Sequence, residues 1–163
     1  MPQPTIVVGV DDSPATRAAL RWAADLARSG GGTLRAVHVL PWPPASEVYA
    51  CSVMGDPVQL DPVWLEDLER EACRAAFDEV TPEPGWTLAF VHGHVGRTLV
   101  QEAHDARALV LGTRAHRGLP RVLHGSVGHY CLDHACCPVV AVPTPAHHPS
   151  SGHATSAPRA TVG

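Results

Sequence analysis

The sequence predicts an α/β domain built on a doubly wound, open, mostly parallel sheet of five strands. Two observations carry this. Five short runs rich in Val, Ile and Leu alternate with segments of helical periodicity, and parallel strands need such crossovers to be joined. The second is the stretch Ala108-Leu109-Val110-Leu111-Gly112-Thr113-Arg114-Ala115, running on to Gly125-Ser126-Val127. It reads as a buried parallel strand, a loop of small and basic residues, and the start of a helix.

Each element has its own signals. Thr5 to Val10 is a β-branched run, and Asp11-Asp12-Ser13-Pro14 turns the chain into a helix, with Ser13 suited to the cap and Pro14 to the first helical position. Ala19, Trp22, Ala23 and Leu26 recur at helical spacing, and Gly30-Gly31-Gly32 stops the pattern. Thr33 to Leu40 reads as the second strand, so the first forty or so residues form one βαβ unit with a right-handed crossover. Pro41 to Asp61 is a long loop, which suggests a functional flap, with disorder as the competing account.

Asp61-Pro62 opens a second helix whose expected buried stripe is Leu65, Leu68, Ala72, Ala75 and Ala76. Pro82, Pro84 and Gly85 end it. Trp86 to Val91 is the third strand, Val95, Leu99, Ala103 and Ala106 mark the third helix, and Ala108 to Leu111 is the fourth strand. Ser126 suits the cap of a helix carrying Val127, Tyr130, Cys131 and His134 on one side. Pro138 to Val142 forms the last strand, its leading proline fitting an edge or a strand start. The predicted domain is 1–143, and 144–163, rich in Pro, His, Ser, Ala and Thr, is expected to be a disordered tail.

Composition narrows the function. At 163 residues the chain is one domain long, and 45% hydrophobic with 17% charged residues is ordinary for a globular protein. No apolar run reaches membrane-spanning length, and Met1-Pro2-Gln3-Pro4 lacks the basic and apolar regions of a signal peptide, so a cytoplasmic location is expected. A net charge of −4 argues against nucleic acid as a partner. The chain has no lysine, which excludes the lysine-bearing phosphate loop and Schiff-base chemistry. Cys51, Cys73, Cys131, Cys136 and Cys137 show no C-x-x-C spacing and read as small, buried, reduced residues.

In doubly wound sheets ligands sit at the carboxyl ends of the strands, where the winding reverses, and Asp11, Val39 and Gly112 fall at such ends. Gly112 and Gly125 lack a Cβ and let a ligand lie against the main chain, although any tight turn also wants glycine. Arg114, Arg117 and Arg121 cluster on the loop and suit phosphate charge, as they would also suit solvent. The N-terminal end of the Ser126 helix, facing that loop, favours an anion such as phosphate. Asp11 can accept hydrogen bonds from ribose hydroxyls, or cap the first helix together with Asp12 and Ser13. His92 and His94 are spaced as a metal pair but have no third ligand, so no metal is expected. Cys131, Asp133 and His134, close neighbours on one helix, do not converge as a catalytic set.

These residues resemble the universal stress protein family over Thr5 to Val142. The likeness rests on Val8-Gly9-Val10-Asp11 with Ser13, on His38-Val39, on Gly112 to Ser126, and on Cys137-Pro138-Val139-Val140. Nucleotide-binding members carry glycine, two residues, glycine, nine residues, then glycine and serine or threonine; Gly112, Ala115, Gly125 and Ser126 hold those places with the spacing intact. The resemblance implies a Rossmann-like fold of the adenine-nucleotide alpha-hydrolase type, often a homodimer through its last strand, here 138–142. It implies ATP as the ligand, with Mg2+, and AMP or ADP as alternatives, held by Gly9, Asp11, Val39, Leu111, Gly112, Arg114, Ala115, His116, Arg117, Gly125, Ser126 and Val127. Asp11 and Val39 would meet ribose and adenine, and the main chain from Gly112 to Arg117 would wrap the phosphates.

Two departures stand out. Ala115 replaces the second glycine, and Gly128 sits where binding members commonly place a second hydroxyl. Each change costs about 1 kcal/mol, together roughly 30-fold in affinity. The expected role is an ATP-binding stress-response or signalling module without catalytic residues. A slow ATP hydrolase, with His116 as the loop base, and a dimer that binds no nucleotide are the alternatives.

Overall fold

The computed structural model describes residues 3–41, 62–113 and 126–144. The expected loop 41–61, apart from Pro41 itself, and the tail beyond Thr144 lie outside the described residues. The order is β1 (Thr5–Val10), α1 (Pro14–Ser29), β2 (Thr33–Pro41), α2 (Pro62–Asp78), β3 (Thr87–Gly93), α3 (Val95–Glu102), β4 (Ala108–Thr113), α4 (Ser126–His134) and β5 (Val139–Pro143). These form a five-stranded sheet in the order β3-β2-β1-β4-β5, and every pairing is parallel.

That order follows from the connections. β1, β2 and β3 step outward in one direction with α1 and α2 between them, and the chain then crosses back to lay β4 on the other side of β1 and β5 beyond it. With right-handed crossovers throughout, reversing the direction of winding puts the later helices on the opposite face. Two core clusters record this. Ile6, Val8, Val10, Leu34 and Val110 pack with α1 and α2, while Val7, Val37, Val39, Leu109 and Leu111 pack with Leu99 of α3 and Cys131 of α4. The period-2 alternation of strand side chains divides each strand between the two.

Several expectations need correcting. The buried face of α2 is Cys73, Ala76 and Phe77, continued by Val80 just beyond the helix. Of the expected stripe, Ala76 is buried as expected and Ala72 is half-buried, but Leu68 is 44% exposed and Ala75 is exposed, while the side chain of Leu65 lies outside what the structure describes. The stripe is therefore rotated by about one residue, some 100° around the helix axis. Trp22 is 39% exposed, and Leu20, Ala24 and Ala27 join Ala19 and Ala23 in the buried face of α1. Arg17, Arg21 and Arg28 on one flank of α1 pair with Glu79 and Glu83 in the segment that follows α2. Trp22 occupies the opposite flank.

Other boundaries move by one or a few residues. α3 stops at Glu102, where the Ala103 N–H closes on Leu99, and Ala103 and Ala106 follow it as core residues outside the helix. β5 starts at Val139, because Pro138 has no N–H; its carbonyl accepts from Leu109. In α4, Gly128 and Cys131 are buried with Val127 against them, whereas His134 is exposed and stacks on Tyr130 at a centroid separation of 4.1 Å. Of the cysteines, Cys51 lies outside the described residues, Cys73 and Cys131 are buried as expected, but Cys136 is exposed and Cys137 half-buried.

Candidate functional site

The winding reverses between β1 and β4, whose carboxyl ends lie side by side. From β1 the chain leaves toward α1 on one face, and α4, which follows β4, packs on the other. The sequence-predicted residues Gly9, Asp11, Val39, Leu111 and Gly112 gather at the ends of three adjacent strands, β2, β1 and β4. Val10 is in register with His38, so Asp11 and Val39 occupy the next rung; Val8 is in register with Val110, so Gly9 stands level with Leu111.

The local sequence fixes the Asp11 carboxylate. Its Oδ1 accepts from the Ser13 N–H at 3.0 Å, from the Thr16 hydroxyl at 2.6 Å and from the Ser13 hydroxyl. The Asp11 N–H in turn donates to Thr16 Oγ1 at 2.8 Å, so one threonine hydroxyl ties both ends of the aspartate. This is an Asx turn sealed by the first turn of the helix behind it. Ser13 does stand at the N-cap of α1 with extended angles, φ −81° and ψ 155°, but its side chain makes no capping bond. Its hydroxyl goes to the carboxylate, the stronger, charged acceptor. Sequence reasoning missed Thr16; the signal was Asp with Ser two and Thr five residues on.

Gly112 has a different reason to be glycine than the one expected. A Cβ there would lie 2.5 Å from the carbonyl oxygen of Ala15 and 2.9 Å from its Cβ, so the first turn of α1 rests directly on β4. Its φ is not positive, unlike those of Gly31, Gly85 and Gly93. Gly9 faces the other way, and a Cβ there would meet Leu111 Cδ2 at 3.0 Å and Leu99 Cδ1 at 3.2 Å. Val39 is buried, Leu111 is buried and Val127 is half-buried, which gives the α3/α4 side of the strand ends an apolar lining.

Ser126 is exposed and is the first residue of α4, one position further into the helix than a cap. Arg114, Ala115, His116, Arg117, Arg121 and Gly125 lie outside the described residues. His92 and His94 are both exposed, and among the described residues no three His, Cys, Asp or Glu side chains group as metal ligands. Cys131 is buried while Asp133 and His134 are exposed, so these three do not come together. No helix among the described residues is long and apolar enough to cross a membrane.

The buried thiols are inert. Burial, and after it the charges of Asp11, Glu69 and Asp12, push the Cys73 thiol up to about 12. Burial and the neighbouring Cys137 push Cys131 up to about 11. Both stay protonated at neutral pH, and a thiol is not a nucleophile.

Known proteins of similar sequence and structure bear on this arrangement. The model of the universal stress protein family matches residues 4–143. A universal stress protein of Mycolicibacterium smegmatis is 30% identical over 152 residues, covering 84% of this chain and 47% of that protein. Universal stress protein A homolog 1 of Coxiella burnetii is 30% identical over 142 residues, covering 84% of this chain and 94% of that protein. The chain thus spans about half the length of the mycobacterial relatives it matches.

Among solved structures, the universal stress protein UspA from Lactobacillus plantarum superposes with a TM-score of 0.61 at 26% identity, covering 87% of this chain and 99% of that one. Two more distant structures share the fold. One, from Archaeoglobus fulgidus, is in complex with dAMP (TM-score 0.59, 22% identity, 87% of this chain and 99% of that one). The other is in complex with cAMP (TM-score 0.57, 20% identity, 89% of this chain and 100% of that one).

Proposed function

Because this chain belongs to the universal stress protein family, we propose that it is an adenine-nucleotide-binding signalling module, with ATP as its ligand and AMP or ADP as alternatives. The observation that carries the reading is the preset Asp11 carboxylate at the end of β1, beside the apolar lining of Val39, Leu111 and Val127. A carboxylate held by three donors before a ligand arrives costs little ordering on binding, and it is the acceptor a ribose needs. The apolar side chains next to it suit the flat face of a purine. Relatives of the same fold in complex with cAMP and dAMP support adenine as the base.

The chain's own residues divide the task. Asp11 orients the sugar, Val39 and Leu111 exclude water from the base, and Ser126 with Val127 presents the first N–H groups of α4 to phosphate. Mg2+ would accompany a triphosphate and neutralise its charge. The module reading stands ahead of the ATPase because the features it rests on, the Asp11 turn and the apolar lining, are those of a binding site.

We further propose a homodimer through β5. It is an edge strand, and an edge strand offers a row of unpaired backbone groups. α1 packs against β5, and the α1 flank away from α2 carries Trp22 at 39% exposure, which gives a partner an apolar surface beside that edge.

The test is to titrate the full chain with ATP, ADP and AMP by calorimetry, with and without Mg2+, and to identify any nucleotide released on denaturation. Binding that Asp11→Ala weakens by about tenfold or more supports the reading. No heat with any of the three at millimolar concentration overturns it. Light scattering that gives the mass of one chain removes the dimer.

A further inference from the structure

One polar feature lies on the α1/α2 face, away from the apolar lining of the strand ends. His38 on β2 is 6% exposed, and among the described residues its Nε2 is a buried side-chain nitrogen without a hydrogen-bond partner. Its Nδ1 lies 2.9 Å from the carbonyl oxygen of Val10. A carbonyl only accepts, so Nδ1 carries the proton and donates, and in the neutral ring Nε2 presents a lone pair. Facing that lone pair at 3.5 Å is Oε2 of Glu69 on α2, itself an acceptor when ionised. Two acceptors opposed in this way, the ring nitrogen buried and the carboxylate half-exposed, are unfavourable until a proton comes between them.

The charged surroundings are set by three elements. α2 contributes Glu69 and, one turn on, Cys73, which senses Asp11 and Asp12 from the end of β1 as well as Glu69. α2 also contributes Arg70 and Arg74, whose guanidinium groups sit 5.1 and 5.2 Å from the centroid of Phe90, with Arg70 also reaching Glu66 at 3.5 Å. β3 contributes Phe90, edge-on to the His38 ring at 5.9 Å, and His92 two residues further along the same face. Of these, Glu69 is the group within ion-pair distance of His38.

We propose that His38 and Glu69 form a proton-operated tie between β2 and α2. Uptake of one proton from solvent at Nε2 turns the opposed acceptors into a charge-assisted N–H···O bond, which fastens α2 to the sheet beside the exit of β1. Release of that proton breaks the bond and loosens α2. The geometry supplies the partner: Glu69 Oε2 is the acceptor that faces Nε2 of the His38 ring at 3.5 Å.

The experiment follows the His38 ring nitrogens by NMR between about pH 8 and 5 in the full chain and in Glu69→Gln, a change at a half-exposed side chain. Hydrogen exchange of the α2 amides, corrected for its intrinsic pH dependence, is measured over the same range. The tie requires a neutral ring protonated on Nδ1 and a midpoint lower in Glu69→Gln by about half a unit or more. That displacement is worth about threefold in equilibrium, so α2 amides of the parent chain should gain up to about threefold protection at the acid end, and those of the variant none. A neutral ring protonated on Nε2, equal midpoints in the two chains, or α2 protection that does not change with pH would each overturn it. His38→Gln should abolish the pH dependence, and retention of it in that variant would also refute the tie.

Discussion

The two strand ends that meet at the reversal of winding are built by opposite means. The end of β1 is defined by a surplus of polar partners, with Asp11 taking three donors from Ser13 and Thr16 and giving its own N–H back to Thr16. The end of β4 is defined by an absence, the missing Cβ of Gly112, into which the first turn of α1 settles. The same helix turn, Ala15-Thr16, serves both. The polar end is local and spans six residues; the steric end joins positions nearly a hundred residues apart. One is therefore tuned by changing hydrogen bonds and the other only by changing volume.

The largest break in this comparison is Gly112→Ala. Its new Cβ meets a backbone carbonyl at 2.5 Å, and a helix backbone cannot swing aside as a side chain can. We expect a loss of about 3 kcal/mol in denaturant unfolding. Gly9→Ala is the control, since its Cβ meets methyl groups of Leu111 and Leu99 at 3.0 and 3.2 Å, which can shift, and it should cost about 1 kcal/mol. Equal losses for the two would mean that the approach of α1 to β4 is not rigid.

Asp11→Ala comes next, because it leaves the Ser13 N–H and the Ser13 and Thr16 hydroxyls without their charged acceptor. Ser13 and Thr16 are buried, so water replaces that acceptor poorly, and the expected cost is about 2 kcal/mol without nucleotide. A variant as stable as the parent would show that the carboxylate is not preset.

The contrast also explains what could be read in advance. Strand and helix alternation, the parallel sheet and the gathering of Asp11, Val39 and Gly112 at strand ends were legible because periodicity and turn residues are local signals. The phase of α2 was not. Trp64, Leu68, Ala72 and Ala75 form an apolar stripe of their own beside the one through Cys73, Ala76 and Phe77, and periodicity alone does not say which of two stripes faces the sheet. Gly112 was marked as special, but its partner Ala15 is a tertiary neighbour that no local pattern announces. His38 was marked only as half of the His38-Val39 pair that carries the family likeness, because the Val10 carbonyl and Glu69 reach it only across the sheet and from α2.

A thiol near each strand end sharpens the comparison through pH. Cys73, on the β1 side, is pushed up to about 12, and Cys131, beneath the β4 side, to about 11, while the unfolded chain releases both protons near 9.0. The folded chain therefore binds more protons than the unfolded one above that value, and stability falls as pH rises. Below pH 9 neither thiol contributes a slope. Above it each removes up to about 1.4 kcal/mol per pH unit, with Cys131 ceasing to contribute first. Cys73→Ala and Cys131→Ala should each flatten this alkaline decline, and Cys73→Ala should do so over the wider range. In the parent chain at neutral pH, alkylation should mark exposed Cys136 and spare both buried thiols.

The smallest effects separate the two hydroxyls that serve Asp11. Thr16 both receives the Asp11 N–H and donates to its Oδ1, whereas Ser13 donates its hydroxyl and keeps its backbone N–H bond whatever its side chain. Thr16→Val preserves shape and removes two hydrogen bonds, for about 1.5 kcal/mol. Ser13→Ala removes one, for about 0.5 kcal/mol, and spares the turn. If Ser13 were a side-chain cap of α1 as its position in the sequence suggests, its loss would instead cost about 1 kcal/mol and fray the first turn of the helix. Amide exchange at Thr16 and the residues after it reads that difference directly. The order Thr16 above Ser13, with an intact first turn in Ser13→Ala, is what a carboxylate-centred turn requires, and the reverse order would return Ser13 to the role of a cap.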